Sequence, residues 1–313
     1  MDARQELQIK RFALEIRLAT MREFKVRGFG HVGGALSITD AFAVLYGAVM
    51  KIDPQQPRWP DRDKLVCSKG HAGPSLYATL ALKGYFPIDW LATLNQPGTR
   101  LPSHCDRNLT PGIDMTTGSL GQGMSTALGL ALGDRIKGRD SRTFLVIGDG
   151  ELNEGQIWEG AMFAAQYKLD HLIAFCDDNK KQLDGFTRDI IDNRDIAAKF
   201  AAFGWHAQRA CGSDVAAIHA AIMAALAVPG QPHIIVLDTV KGAGVPAVEQ
   251  MAANHHIVVS PELADEAIAC LELQLAAVDS SLKQMADVDG SQERLADVDV
   301  SQEQLAGKGG AVC

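Results

Sequence analysis

The stretch that decides the fold runs from residue 143 to residue 179 and reads TFLVIGDGELNEGQIWEGAMFAAQYKLDHLIAFCDDN. Its apolar runs at 143–147 and 171–176 are typical of buried strands, and the residues between them have the pattern of a helix. Two strands joined through a helix run parallel, so their carboxyl ends meet at one edge of a sheet. GDG at 148–150 and the later Asn179 follow those two ends, where ligands of parallel sheets bind.

The rest of the chain continues this alternation of strands and helices. It predicts an α/β fold, a parallel β-sheet flanked by helices on both faces. Ser37 to Asp40 resembles a capping box and predicts the start of a helix that runs to residue 50. The predicted helices span 4–27, 37–50, 74–83, 121–136, 154–168, 196–203 and 215–227, and the predicted strands span 64–67, 143–147, 171–176, 205–209 and 233–237.

The composition excludes several classes of function. The 313 residues include 30 basic and 38 acidic side chains, and the net charge of −8 disfavours nucleic-acid binding, which needs a basic face. The charged N-terminus lacks a signal-peptide pattern and we expect no run of about 18 apolar residues, which predicts no membrane association. The six cysteines are scattered without a CxxC motif, which favours reduced thiols in the cytoplasm.

Asp149 and Asn179 lie 30 positions apart, the length of one strand–helix–strand unit. In a parallel sheet this spacing brings a carboxylate and an amide oxygen to the same edge. With nearby backbone carbonyls, such oxygens suit a hard cation such as Mg²⁺, and phosphate oxygens would fill its remaining positions. Gly148 and Gly150 would let the backbone approach a phosphate closely. The sequence therefore predicts a metal-dependent phosphate site.

With these residues the sequence resembles the thiamine-diphosphate enzymes and, within them, the transketolase family. The family's diphosphate motif runs from GDG to a later asparagine, as it does here. GHVGGALS and DDNKKQLDG look more like the split transketolases, in which two genes encode the two halves. The resemblance covers residues 10–260, and its further segments are GHVGGALS at 30–37, SKGHA at 68–72, LPSH at 101–104 and TTGSLGQG at 116–123.

The resemblance implies a function shared with a second polypeptide. It implies the diphosphate-binding subunit of a two-subunit transketolase, a transferase that moves a two-carbon ketol unit from a ketose phosphate to an aldose acceptor. A single-chain transketolase is roughly twice as long, so the pyrimidine-binding half and its cofactor-activating glutamate would come from a partner subunit. Because the family's sites form between protomers, it also implies an α2β2 heterotetramer that is active only when both subunits are present.

The resemblance assigns roles residue by residue. It implies thiamine diphosphate and Mg²⁺ as cofactors, with Ca²⁺ or Mn²⁺ as alternative metals. The implied metal ligands are the side chains of Asp149 and Asn179 and the backbone carbonyl of Lys181. The implied cofactor contacts are His71, Gly118, Leu120, Gly150, Asn179 and Lys241. The implied catalytic residues are His31, His104, His256 and Glu154.

Glu154 and His256 differ from the other implied catalytic residues. Glu154 matches an acidic residue at the interface between the halves, where it helps to couple the sites. His256 matches a late active-site histidine, but the family usually has Trp-His-Gly there, whereas this chain has His255-His256-Ile257. Histidine suits proton transfer with sugar hydroxyls near neutral pH, so either imidazole could face the site.

Two alternative functions stay open at this point. The chain could be a subunit of another thiamine-diphosphate enzyme, such as a 2-oxo acid dehydrogenase component or a deoxyxylulose-phosphate-type synthase. The histidine set and TTGSLGQG favour a ketol donor over a 2-oxo acid. The chain could also be a non-catalytic cofactor-binding paralogue, against which the intact metal and diphosphate residues argue. The sequence does not identify the ketose donor, the acceptor or the pathway.

The composition divides the chain at residue 270. Residues 1–270 form the predicted cofactor-binding α/β domain, and residues 271–313 form an acidic tail with a ten-residue repeat. Residues 277–306 carry seven acidic and two basic side chains, and their spacing does not match a calcium-binding EF-hand loop. We therefore predict a helical or mobile tail without chemistry of its own.

Overall fold

The computed structural model describes the backbone of residues 1–306 and the side chains of residues 1–287. The strands are β1 (Phe29–Gly30), β2 (Lys64–Cys67), β3 (Thr143–Gly148), β4 (Leu172–Asp178), β5 (His206–Cys211), β6 (His233–Asp238) and β7 (Ile257–Val258). Five of them form one sheet in the order β2-β3-β4-β6-β5, and every pairing within it is parallel. The predicted α/β class is confirmed.

Helices cover both faces of the sheet. They are α1 (Ala3–Arg27), α2 (Val32–Leu36), α3 (Thr39–Val44), α4 (Gly73–Leu82), α5 (Gln122–Ile136), α6 (Gly155–Gln166), α7 (Thr187–Ile190), α8 (Ile196–Ala202), α9 (Val215–Leu226), α10 (Pro246–Glu249) and α11 (Pro261–Ala306). Successive side chains of a strand point to opposite faces. Phe144 and Val146 therefore join a core with α1, α3, α4 and α9, whereas Leu145 and Ile147 join a second core with α5, α6 and α8.

The helix predicted over 37–50 is not continuous. Ser37 and Ile38 form a turn after α2, and the rest of the span consists of α3 and a π-helical turn at Leu45–Val49. The predicted capping role of Ser37 is wrong, because the N-cap position is Ile38 and no side chain caps the helix. The Ser37 hydroxyl instead donates a hydrogen bond of 2.6 Å to the buried carboxylate of Asp177. A hydrogen bond to a charged carboxylate is stronger than one to a neutral backbone group, so the Ser37 side chain bonds to Asp177 rather than capping the helix.

Strands β1 and β7 form a two-residue antiparallel pairing outside the main sheet. Phe29 pairs with Val258 and Gly30 with Ile257. Strands this short leave no periodic pattern in the sequence, and neither strand was predicted. The pairing matters for function because it brings His31, directly after β1, beside the residues that precede β7.

The last helix, α11, has 46 residues and runs through the predicted boundary at residue 270. Its first part packs on α1: Leu271 is fully buried, and Arg11 donates a hydrogen bond of 2.7 Å to Asp279. The repeat positions from residue 288 onward lie outside the described side chains, and residues 307–313 lie outside the described backbone. The division at residue 270 therefore stays a prediction.

The segment Val32–Val49 is long and apolar enough to cross a membrane by length and composition, contrary to the expectation that no such run exists. Of this segment, 83% is buried inside the protein. It comprises α2, α3 and the π-helical turn, which lie in the larger core. Its apolar character is accounted for by that packing.

Candidate active site

A cavity of about 400 Å³ opens at the carboxyl edge of the sheet. Loops that follow β2, β3, β4 and β6 form most of its wall, as expected for the ligand site of a parallel sheet. Every residue predicted for the site except His256 lines this cavity. The predicted residues that do so are His31, His71, His104, Gly118, Leu120, Asp149, Gly150, Glu154, Asn179, Lys181 and Lys241.

Asp149 and Asn179 come from neighbouring strands. In the register of β3 and β4, Gly148 lies opposite Asp177, so Asp149 follows one strand end and Asn179 follows the other. Neighbouring strands lie about 4.8 Å apart, which places both residues at one point of the sheet edge. Both line the same cavity. The sheet therefore brings together the carboxylate and the amide that the sequence paired.

Asp149 has one carboxylate oxygen that nothing in the described part of the protein satisfies. Its Oδ1 accepts a hydrogen bond of 2.8 Å from the backbone N–H of Gly150, while its buried Oδ2 has no hydrogen-bond partner among residues 1–287. Burial, together with the nearby charge of Asp177, raises the pKa of Asp149 to about 7. An unpartnered buried carboxylate oxygen costs free energy. A bound cation would remove that cost.

Asn179 is oriented by a buried charge network. Its Nδ2 donates a hydrogen bond of 3.0 Å to Oδ2 of Asp177. Asp177 also accepts hydrogen bonds from the Lys69 ammonium and from the hydroxyls of Ser37 and Thr239. Burial alone would raise the pKa of Asp177, but Lys69 and these hydrogen bonds outweigh it and hold the pKa below its ordinary value. The amide oxygen of Asn179 accepts a hydrogen bond of 3.2 Å from the backbone N–H of Lys181, and its second lone pair is left as an acceptor at the cavity wall.

The third predicted ligand, the carbonyl of Lys181, is held by Lys241. Nζ of Lys241 donates a hydrogen bond of 2.8 Å to this carbonyl and lies 3.0 Å from Nδ1 of His255. Burial and the positive charge of Lys69 lower the pKa of Lys241 to about 8. Lys241 is thus a nearly fully buried cation that lines the cavity and contacts both the predicted metal-binding loop and His255.

Four imidazoles form a cluster in the cavity wall. The ring of His31 lies 5.6 Å from that of His71, 5.4 Å from that of His104 and 5.3 Å from that of His255, measured between centroids. Burial is the main cause that lowers the pKa of each, to about 4 for His31 and about 3 for His255. The pKa values of His71 and His104 are lowered as well, again mainly by burial. At neutral pH these rings are therefore uncharged, and each can both donate and accept a hydrogen bond.

The adjacent histidines near β7 separate into two positions. His255 lines the cavity, and its ring lies 4.8 Å from that of His71. His256 is exposed and does not line the cavity; its ring packs 5.6 Å from Phe29 and 4.8 Å from His31. The predicted catalytic role of His256 is untested by this geometry, but His255 occupies the place inside the cavity.

Two glycines allow close approaches inside the site. Gly118 has φ of +146°, and a Cβ there would lie 3.1 Å from the His104 ring. A Cβ on Gly150 would lie 2.7 Å from Cβ of Gln182, so this position has no room for a side chain. Glycine therefore lets the GDG turn and the Gly118 turn close around the cavity.

Glu151 has a structural role that the sequence motif does not reveal. It is buried; its Oε1 accepts a hydrogen bond from the Ser68 hydroxyl and one of 2.8 Å from Gly121 N–H, and its Oε2 accepts one of 3.0 Å from Gly148 N–H. One carboxylate thus joins three loops of the cavity wall. Lys69 and Asp177 were missed in the same way. The sequence signal for all three residues is a charged side chain inside a run of glycine and apolar residues. Such runs are typically buried, and a charged side chain is buried there only when it has a partner.

The donor set fits a hard divalent cation. Among residues 1–287 no group of three or more His, Cys, Asp or Glu side chains is arranged to hold a metal, so an ion here would rely on one carboxylate, one amide oxygen and one carbonyl. Mg²⁺ accepts such sparse protein ligation because water and phosphate oxygens complete its shell. The unpartnered Oδ2 of Asp149 is the observation that supports the fit.

Comparison with known proteins agrees with this geometry. Residues 9–289 match the family described as transketolase, thiamine diphosphate binding domain. The chain belongs to the transketolase family. A thiamine diphosphate binding domain is thereby confirmed, and transketolase is favoured over the 2-oxo acid dehydrogenase and deoxyxylulose-phosphate synthase alternatives.

Some relatives of this transketolase-family chain have nearly its own length. The 6-deoxy-6-sulfo-D-fructose transketolase subunit SqwG of Clostridium sp. strain MSTE9 is 51% identical over 268 residues, which cover 86% of this chain and 98% of that protein. One subunit of the apulose-4-phosphate transketolase of Actinobacillus succinogenes is 38% identical over 81% of this chain and 91% of that protein. These matches confirm the resemblance to the subunits of split transketolases.

Solved transketolases share the fold over most of this chain. The enzyme from Leishmania mexicana has a TM-score of 0.77 at 28% identity and covers 92% of this chain. The Pichia stipitis transketolase complex with sedoheptulose-7-phosphate has a TM-score of 0.76 at 28% identity and covers 97% of this chain. The chain spans 46% and 49% of these two proteins, about half of their length.

Proposed function

We propose that this chain is the diphosphate-binding subunit of a cytoplasmic two-subunit transketolase, and that a separate pyrimidine-binding subunit completes its active site in an α2β2 heterotetramer. The observation that carries the proposal is the 51% identity with one transketolase subunit over 98% of that relative's length. The half-length match to solved transketolases supports the need for a partner. We also propose that residues 1–270 form the cofactor-binding domain and residues 271–313 a tail without a catalytic role.

In this function Asp149, Asn179 and the carbonyl of Lys181 hold Mg²⁺. The charges of the cavity wall explain why a metal is required. The wall has a formal net charge of zero, because it carries three lysines and three carboxylates. They are Lys69, Lys181 and Lys241, and Asp149, Glu151 and Glu154. A neutral cavity does not attract a diphosphate, whereas the same cavity with a divalent cation has a net charge of +2.

Thiamine diphosphate, when bound, supplies the electron sink that carries the two-carbon unit between sugars. The chain's own contribution is to hold the cofactor and to move protons on the sugar. His71 and Lys241 reach the diphosphate end of the cavity, and the backbone at Gly118 and the apolar Leu120 complete the pocket. His31, His104 and His255 present uncharged imidazoles that accept protons from sugar hydroxyls. We propose His255 for the role that the resemblance gave to His256.

Glu154 lies at the rim of the cavity. It is exposed in the isolated chain, whereas Glu151, three positions earlier, is buried. An exposed carboxylate at the mouth of the cavity is placed to meet a residue of the partner subunit. We therefore propose that Glu154 couples the two subunits rather than the substrate.

The relative with 51% identity is named for 6-deoxy-6-sulfo-D-fructose, and we propose a ketose that ends in a sulfonate as the donor. Removing the two-carbon ketol unit from a six-carbon sulfonated ketose leaves a four-carbon aldose that keeps the sulfonate. An aldose phosphate that receives the unit becomes a ketose phosphate two carbons longer. Apulose-4-phosphate, named in a relative with 38% identity, is the second candidate donor.

The experiment uses the purified full-length chain with and without a pyrimidine-binding transketolase subunit from the same organism. Mass spectrometry follows the sulfonated ketose, a ketose phosphate and pyruvate as donors, with an aldose phosphate as acceptor. We expect turnover of the sulfonated ketose only when both subunits, thiamine diphosphate and Mg²⁺ are present. Activity of the chain alone would overturn the two-subunit proposal, and turnover of pyruvate alone would overturn the transketolase assignment.

A further inference from the structure

A second cavity, of about 530 Å³, lies at the amino edge of the sheet. Lys64, the first residue of β2, lines it, and so does Arg139, which lies shortly before β3. The active-site residues follow the opposite ends of these strands. Six strand residues of β3 at 3.3 Å each separate the two edges by about 20 Å. The second cavity is therefore distinct from the active site.

The charge of this cavity is its main feature. Its wall carries one carboxylate, Asp114, against six cationic side chains. The cationic residues are Arg58, Arg62, Lys64, Arg100, Arg107 and Arg139. The chain as a whole has a net charge of −8, and the active-site wall is neutral by the same count. A formal wall charge of +5 is thus a local concentration of positive charge on an acidic protein.

Part of this charge is neutralised by carboxylates. Arg62 forms an ion pair with Asp114. Lys64 forms one of 2.5 Å with Asp134, which also lies 3.3 Å from Arg139. These pairs are largely buried and fix the floor of the cavity.

The other three cationic side chains have no carboxylate partner. Arg58, Arg100 and Arg107 are exposed at the mouth of the cavity, and none forms an ion pair with the described residues 1–287. Arg100 lies over the ring of Trp90 at 5.1 Å, which orients its guanidinium without neutralising it. The cavity thus combines a fixed, paired floor with a rim of three unpaired guanidinium groups. Guanidinium groups are the side chains best suited to bind phosphate and related oxyanions in pairs of hydrogen bonds.

We propose that this cavity binds a small molecule that carries several negative charges, of the class of polyphosphates and multiply phosphorylated metabolites. A volume of about 530 Å³ matches a small-molecule site, and three unpaired cations at the mouth require more than a single charge to balance them. The proposal does not depend on the proposed transketolase activity.

The position of Arg107 links this site to the active site. It lies on the segment that has His104 before it and Gly118 after it, both of which line the active-site cavity. The two arms of this segment are joined by a hydrogen bond of 3.0 Å from Thr117 N–H to the carbonyl of Cys105. A ligand held by Arg107 therefore contacts the same loop that carries two active-site residues.

The test is titration of the full-length chain with inorganic triphosphate, followed by calorimetry and by tryptophan fluorescence. Trp59 lines the cavity and reports binding there, and Trp59→Phe should remove the signal while calorimetry still detects binding. The double variant R58A/R107A removes two unpaired charges that make no ion pair in the described part of the chain. We expect it to weaken triphosphate binding by roughly tenfold or more.

Two controls separate this site from nonspecific attraction and from binding in the active site. K10A/K25A removes two cationic side chains on the exposed face of α1 and should leave the affinity nearly unchanged. Lys241→Ala weakens any triphosphate held at the diphosphate site and should leave the Trp59 signal intact. The proposal is overturned if no saturable triphosphate binding occurs, or if R58A/R107A binds like the wild type or loses no more affinity than K10A/K25A.

Discussion

The side-chain amide of Asn179 donates a hydrogen bond of 3.0 Å to the fully buried carboxylate of Asp177. This hydrogen bond orients the amide that we propose as a metal ligand. Asp177 accepts a hydrogen bond from the amide nitrogen, and the amide oxygen, which accepts one of 3.2 Å from Lys181 N–H, keeps a second lone pair for the proposed cation. Outer residues that orient a ligand in this way commonly change metal affinity when they are altered.

Replacing Asp177 by asparagine should destabilise the protein. Lys69 would keep its charge in a fully buried position without its partner, and breaking such a pair costs about 3–5 kcal/mol. Urea unfolding of the metal-free chain measures the change. Asp238→Asn is the matched control, since Asp238 is half-exposed where it pairs with Arg209, and a loss of less than about 1 kcal/mol is expected there. Equal losses in both variants would contradict the buried network.

Asp149→Asn should abolish Mg²⁺-dependent binding of thiamine diphosphate without loss of fold stability. Its Oδ2 has no partner among the described residues, so the neutral amide removes an unpaired buried charge. Calorimetric titration with the cofactor in the presence of Mg²⁺ and then of a chelator measures binding. Asp189→Asn, at an exposed carboxylate, should bind like the wild type. Metal-dependent binding that survives Asp149→Asn would refute the proposed ligand set.

Lys241→Met should weaken Mg²⁺-dependent cofactor binding by about 10–100-fold. Lys241 holds the carbonyl of Lys181, the third proposed ligand, and is itself a cation of the cavity wall. The dissociation constant for thiamine diphosphate is the measurement. Lys199→Met, on α8 above the Trp158 ring, is the control and should leave it unchanged. An effect on stability with no effect on this constant would argue against the role of Lys241 at the site.

His233 gives a prediction for acid stability that does not involve the active site. Burial and the neighbouring His206 lower the pKa of His233 to about 4, against about 6.5 in the unfolded chain. The unfolded state therefore binds the proton more tightly. The stability that neutral His233 contributes is fully present above pH 6.5 and is lost as the pH falls toward 4. Between pH 7 and pH 5 the free energy of unfolding of the wild type should fall by roughly 1–2 kcal/mol more than that of His233→Gln.

Urea unfolding of both proteins across this pH range measures that difference, in which the other histidines cancel. His219→Gln, on a partly exposed helix face, should give a smaller change. If the difference in free energy of unfolding between the wild type and His233→Gln does not change with pH, His233 has the same pKa in the folded and unfolded states, and the prediction is wrong.

Gly33→Ala tests the packing of the His255 segment. A Cβ on Gly33 would overlap the carbonyl oxygen of Asn254 and approach Lys241, so we expect a loss of about 1–3 kcal/mol and weaker cofactor binding. Gly129→Ala is the matched control on α5, where a Cβ meets no atom within 4 Å and a gain of about 0.5–1 kcal/mol is expected. Thermal unfolding compares the two, and equal behaviour would contradict the close approach at Gly33.

The parts of the fold that the sequence predicts well are those with long apolar periodicity. β2 was predicted at the residues where it occurs, and α1 within one residue, because continuous apolar runs and amphipathic helices leave strong patterns. The pairing of β1 with β7 left none, since each strand has two residues. The role of Ser37 was predicted wrongly because the sequence alone does not distinguish a serine that caps a helix from one that bonds to a distant buried carboxylate.

The site was predicted to the extent that residues stand in glycine-rich loops at strand ends. Asp149 and Asn179 could be paired from spacing alone. Lys69 and Asp177 could not, because a charge that is fully buried is recognised only when its partner, 108 positions away, is seen beside it. His255 took the cavity position because the β1–β7 pairing sets which histidine faces inward, and that pairing is a tertiary fact.

The all-parallel sheet also determines when the site can form. β2 and β3 pair Lys64 with Thr143, so about eighty residues must be closed into a loop before β2 gains its partner. No local hairpin offers an early nucleus within this sheet, and such topologies reach the native state slowly. The cavity, whose wall comes from the ends of β2, β3, β4 and β6, therefore arises only with global folding. A nascent or half-folded chain has no cofactor affinity with which to guide its own maturation.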